Sequence, residues 1–245
     1  MTGTPSSPCI TPRALVCILL IIALGFSLGF TEFIVIGIQS ELAGNFGVSL
    51  AQTGLLISAF SVTYAIATPV LALGTGRIRR RVLLIWYAAL FCVGNAASLT
   101  ATTFEMLLIA RVLAGLVSGA LLAVAVTYIP ELVRMDRISM CISLVYAAFS
   151  VAMVISTSFG KYVAATTSWR YAMVAALVLS LLVSGALIAA LPREGASDAP
   201  ATAREQLPLL LDTRMLAAWP FSCSAWGRST CSTATSRRTS RTSCT

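Results

Sequence analysis

The chain has 245 residues, of which 58% are hydrophobic and only 11% charged. A water-soluble domain carries about a quarter charged residues, so this composition, with a mean hydropathy of +0.89, excludes an ordinary soluble fold and makes lipid the solvent. The net charge of +8 does not signal nucleic acid, because the arginines stand between long apolar runs and form no basic groove interleaved with aromatics.

A membrane-spanning helix needs about 20 apolar residues, and six runs reach that length. A polar leader over residues 1–13 precedes the first run, 14–38. That run is too long for a signal-peptide core and lacks a clean cleavage site, so it reads as a span. The others are 52–73, 82–99, 106–129, 138–163 and 169–191. All exceed the length of barrel strands and lack two-residue alternation, which leaves helices. The expected fold class is all-α and polytopic: a six-helix bundle over 14–191, a cytoplasmic linker over 192–212, and a tail over 213–245.

Orientation follows from the short basic stretch Gly74 to Arg81, which holds Arg77, Arg79, Arg80 and Arg81 and no acid. Cytoplasmic loops carry the excess of Lys and Arg. Arg13, Arg134, Arg137 and Arg193 share its side, and Glu41, Glu105, Lys161 and Arg170 fall on the other. The predicted topology is therefore a multi-pass cell-membrane protein with its N-terminus in the cytoplasm.

The tail has a different chemistry. Every residue after Trp219 except Phe221 requires a codon with G or C in the middle position. A GC-rich gene read out of frame produces that bias. Reading from the last base of the Trp219 codon permits the apolar string AVLVLGVGSVYVLYSYIAPYLTDVL, so residues 213–245 are expected to be an aberrant, frameshifted end on the start of a seventh helix; the alternative reading is a disordered serine-rich tail.

Few residues carry chemistry. There is no histidine and no C-x-x-C among the seven cysteines, which leaves no basis for a zinc site, a nucleophile–base pair or a cofactor. Glu32 lies inside the first run. An ionised group at a helix centre costs at least about 2.5–3.5 kcal/mol in a bilayer, and such groups face cavities, so Glu32 is a candidate proton or substrate-cation site. Arg111 in the fourth run is the second cavity candidate. Its alternatives are snorkelling to the outer headgroups, pairing with Glu105, or pairing with Glu32. Gly25 with Gly29, and Gly115 with Gly119, put small residues on one helix face for close crossing. Tyr64, Tyr146, Gln39 and Asn95 read first as packing or interface anchors.

Several stretches together resemble the major facilitator superfamily, in its drug:proton antiporter and sugar-efflux branch. They are Thr31-Glu32-Phe33 with Gly37 and Glu41; Pro69 to Arg81; Arg111 to Gly119, read R-V-L-A-G-L-V-S-G; and Ser168-Trp169-Arg170-Tyr171. The resemblance covers about residues 12–191 and implies the N-terminal half of a twelve-helix transporter that exports a drug or sugar and is proton-coupled. It also implies a gating loop at Gly76, Arg77, Arg80 and Arg81, a small-molecule substrate, protons, the lipid bilayer and a second six-helix half as partners, and no nucleic acid and no enzymatic activity. Two departures stand out. Gly76 occupies the place of the family's loop Asp, and Ser156 and Ser158 replace the Gly and Pro of its fifth-helix antiporter motif. The competing expectation is a non-transporting membrane fragment, either a pseudogene product or an association module.

Overall fold

The computed structural model describes residues 12–75 and 78–190. Gly76 and Arg77 of the basic stretch, the linker over 192–212 and the tail lie outside the described residues. The helices are α1 (Pro12–Phe46), α2 (Leu50–Gly74), α3 (Arg80–Thr100), α4 (Phe104–Val126), the single turn α5 (Ile129–Leu132), α6 (Ile138–Thr166) and α7 (Trp169–Ala190). All but α5 are long and apolar enough to cross a membrane; four of the six expected runs fall wholly within one of these spans, and 52–73 and 169–191 each end one residue past theirs.

The helix ends follow local chemistry. Gly47, at φ +64°, takes the left-handed conformation just after α1 ends. Ser49 and Gln52 then form a reciprocal capping box that starts α2, and the Thr103 hydroxyl caps α4. The structure corrects one boundary. Helix α1 runs to Phe46 rather than 38, because hydropathy reports only where the apolar run ends and the helix continues through Gln39, Ser40 and Glu41. Between α4 and α6 the chain makes α5 and a 3₁₀ turn at Met135–Arg137, where the sequence suggested only a loop.

Two glycine seams set the packing. A Cβ on Gly25 would meet Val145 O at 3.0 Å, one on Gly29 would meet Phe149 O at 2.8 Å, and one on Gly37 would meet Thr157 O at 2.5 Å. These contacts keep one register along α1 and α6, so the two helices run in the same direction with their backbones almost touching. On the other seam a Cβ on Gly115 would meet Phe60 O of α2 at 2.7 Å, and Gly119 faces Tyr64 and Thr68. The pairing is exchange-symmetric: α1 packs along α6 and α7, and α4 packs along α2 and α3. Two three-helix repeats related by inversion produce this pattern. One apolar cluster gathers Ile21, Leu24 and Leu28 with Phe91 and Leu121; the other gathers Ile34, Ile38 and Leu42 with Leu107 and Trp169.

Replacing Gly37 by Val is expected to destabilise the bundle by about 1–3 kcal/mol through overpacking. Gly54→Ala is expected to be neutral or stabilising by up to about 1 kcal/mol, since nothing lies within 4 Å of its added Cβ. Thermal unfolding in detergent micelles checks both, and a Gly37→Val protein as stable as the parent would refute the seam.

Candidate functional site: a polar wall across α1, α2 and α6

Glu32 sits past the middle of α1, between the Gly29–Phe149 and Gly37–Thr157 contacts, and is therefore level with Ala152 and Met153 of α6. Its carboxylate is half-buried, with the Ser61 hydroxyl of α2 beside it and Tyr64 of α2 and Arg111 within electrostatic range. Tyr64 in turn feels Tyr146 of α6, whose side chain is 56% exposed. Three helices thus contribute polar groups to one surface.

Helix α6 completes that surface. Ser139, Ser143, Tyr146, Ser150 and the half-buried Thr157 recur at spacings of three, four and seven residues and form a mostly polar stripe, with exposed Met153 in its widest gap. Met140, Leu144, Val151, Val154 and Tyr162 form a separate exposed stripe. A helix bathed only in lipid has a reason for the second stripe alone. The stripe hydroxyls spend their protons locally: Ser143 Oγ donates to Ser139 O at 2.9 Å, Ser150 Oγ to Tyr146 O at 3.0 Å, and Thr157 Oγ1 to Met153 O at 2.8 Å. Each oxygen therefore turns only lone pairs outward.

Arg111 does not line this wall. It is 1% exposed, donates from Nη1 to Thr31 O at 2.8 Å and from Nη2 to Met173 Sδ at 3.2 Å, and its Nε has no partner among the described residues. Among the described residues it makes no direct ion pair with Glu32 or Glu105, and both ends of its guanidinium are turned to Thr31 and Met173. Its hydrogen bond to Thr31 O fastens the peptide unit that adjoins Glu32.

The arginines after α2 cap helices. Arg80 donates to Thr127 O at 3.2 Å, pairs with Glu131 at 2.8 Å and lies 5.5 Å from the Tyr128 ring centroid. Arg81 donates to Ile188 O at 3.3 Å. Cations suit the carbonyl-rich C-terminal ends of helices, so this pair ties the start of α3 to the ends of α4 and α7. At the opposite end of the bundle, Glu41 Oε1 accepts the Trp169 N–H at 3.2 Å, an anion at the start of α7. The sequence treated Glu41 as a loop charge because the apolar run stopped before it. It also passed over Ser61, Met173 and the α6 hydroxyls; the period of hydroxyl residues through 139–157 was the available signal for the last.

Six membrane-length helices in one bundle define a polytopic helical membrane fold. The sequence profile described as Major Facilitator Superfamily matches residues 19–236, and the chain belongs to that family. It is 27% identical over 205 residues to the uncharacterized MFS-type transporter YtbD of Bacillus subtilis, covering 82% of this chain and 51% of that protein. It is 28% identical over 196 residues to a chloramphenicol resistance protein of Streptomyces lividans, covering 78% and 50%. The crystal structure of a D-xylose-proton symporter superposes with a TM-score of 0.59 at 17% identity, covering 86% of this chain and 53% of that one. That likeness shows the fold. The chain spans about half the length of the curated relatives it matches.

Arg111→Lys is expected to lower stability by about 1–3 kcal/mol, because a point ammonium cannot serve Thr31 and Met173 together and leaves buried groups unpaired. Glu32→Gln, on the exposed wall, is expected to change stability by less than about 1 kcal/mol. Thermal melts in detergent measure both, and the reverse order would refute the division of roles.

Proposed function

We propose that the chain forms the N-terminal half of a proton-coupled carrier that exports a small molecule across the cell membrane. The observation that carries this reading is the wall of Glu32, Ser61, Tyr64 and Tyr146, a carboxylate and phenols held where lipid would otherwise lie. Carriers of this family bind at the midplane between two six-helix halves that rock against each other. The α2–α6 wall is one side of such a cavity, and a second six-helix half supplies the other. The chloramphenicol resistance protein among the relatives supports export as the direction. The N-terminus is cytoplasmic, since Arg79, Arg134 and Arg137 gather at the end of the bundle where α1 begins. The residues after Trp219 derive from a change of reading frame that interrupts the seventh helix; sequencing the gene on both strands across that codon tests this.

Arg79→Cys is expected to react with a membrane-impermeant maleimide in inside-out vesicles and to be protected in right-side-out vesicles; the opposite pattern would invert the topology. A form with the frame restored after Trp219 is expected to reduce cellular accumulation of its substrate several-fold in an efflux screen that includes chloramphenicol. Glu32→Gln is expected to abolish that effect. Efflux that persists in the Glu32→Gln form would remove the carboxylate from the mechanism.

A further inference from the structure

We infer that the face formed by α2 and α6 is covered by a second copy of this chain. The copy is turned about a two-fold axis along the membrane normal, so that α2 of each chain packs antiparallel on α6 of the other. The inference rests on reading that face as one wall of a carrier cavity and goes on to name what forms the opposite wall.

Four observations carry it. First, α2 and α6, which flank α1 and its Glu32, bury the smallest shares of their most apolar stretches, 17% and 11%, against 33–61% for the other four spans. Second, the exposed surface of each helix is divided in the same way. On α2, Leu55, Val62, Ile66 and Val70 are large and apolar and suit lipid. The strip beside them, Ser58, Ser61 and Ala65, is small and adjoins Glu32. On α6, the strip of Ser143, Ala147 and Ser150 lies likewise beside the apolar stripe. Acyl chains gain nothing from small side chains, whereas two helices gain close backbone approach. Third, charge permits a single relative orientation. Arg79, Arg134 and Arg137 gather at one end of the bundle, and an axis in the membrane plane would send one copy's set to the outside. An axis along the normal keeps both sets on one side, puts α2 opposite the partner's α6 twice, and closes as an isologous pair. The two halves of a carrier of this family are related by that kind of axis, so a like-oriented copy reproduces their arrangement. Fourth, Glu32, Tyr64 and Tyr146 then border a shared polar cavity instead of acyl chains, which cannot hydrogen-bond them. The site is incomplete without the second copy.

The test uses the 245-residue chain, labelled at its N-terminus with donor or acceptor fluorophore and reconstituted in liposomes over a range of protein-to-lipid ratios. Energy transfer is expected to follow a monomer–dimer isotherm. Ala65→Trp, which fills the small strip, is expected to weaken association about tenfold or more. Ile66→Trp, on the lipid-facing stripe, is expected to change it less than about twofold. Both native side chains are exposed, so neither substitution enters the bundle's own core. Ala65 lies about one turn beyond Ser61, and Ala147 about one and a half turns before the level of Glu32, which puts the two at nearly the same depth. With the seven native cysteines replaced by serine, a mixture of Ala65→Cys and Ala147→Cys chains is expected to form a disulfide-linked dimer under copper phenanthroline, and neither variant alone is expected to do so. Equal effects of Ala65→Trp and Ile66→Trp, or no cross-link in the mixture, overturns the proposal. A chain that stays monomeric at every ratio also overturns it. In that case, export by the frame-restored form leaves the carrier reading standing, and absence of export removes that reading as well.

Discussion

Oil does not tolerate an unaccompanied charge, and several of the described charges within and around the spans are resolved in different ways. Arg111 is buried completely and leans on a backbone carbonyl and a thioether. Arg80 and Arg81 spend their charge on helix C-termini and on Glu131. Glu41 spends its charge on the first amide of α7. Glu32 has none of these. It reaches no helix terminus and no ion pair, and it stands on a surface shared with hydroxyls and phenols. Removing a carboxylate from water is costly unless it is paired and hydrogen-bonded, and the bundle offers Glu32 only the Ser61 hydroxyl and the more distant charge of Arg111. The functional reading starts from that shortfall.

The glycine seams determine where Glu32 points. With Gly25, Gly29 and Gly37 pressed against α6, that side of α1 has no room for a side chain, and position 32 emerges beside the seam, in the groove between α2 and α6. The second seam does the same for α4. Gly115 and Gly119 bring α4 against α2, and Arg111, one turn before Gly115, reaches across to Thr31. Backbone approach in lipid rests on packing contacts and small residues rather than on hydrophobic drive. Here it also sets the spacing between the carboxylate and the arginine behind it, so a substituent on either seam would move the site as well as the helices.

The spans were legible in the sequence because a hydrophobic run of membrane length has few other readings. The basic stretch, Glu32 and Arg111 were legible as anomalies in or beside those runs. The site was less so. Whether an arginine inside a run faces headgroups, a cavity or a carbonyl depends on which neighbour lies within its reach, and that neighbour, Met173, is 62 residues away in the chain. The α6 stripe was hidden for another reason. Serine and threonine are common in membrane helices, and a hydroxyl that bonds its own backbone is nearly silent in composition. Only the side of the helix on which the hydroxyls recur separates a polar face from scattered small residues. Glu41 was misread because its role depends on α1 outlasting its apolar run.

Those self-bonded hydroxyls bear on how such a wall could work. A serine whose proton rests on the carbonyl one turn back is only partly desolvated when lipid or another helix covers it, whereas Glu32 and Tyr146 carry groups that need water or a ligand. The stripe is therefore inexpensive to cover and useful to uncover, while the carboxylate and the phenol favour the uncovered arrangement until something satisfies them. A surface that faces water in one arrangement and a partner helix in the other needs both kinds of residue: many that tolerate burial and a few that resist it. Rocking about a midplane site imposes that alternation on the inner faces of two halves. The distribution of groups on α6, with tolerant hydroxyls along its length and the demanding phenol facing Tyr64, suits a face that is covered and uncovered in turn better than one permanently bathed in lipid.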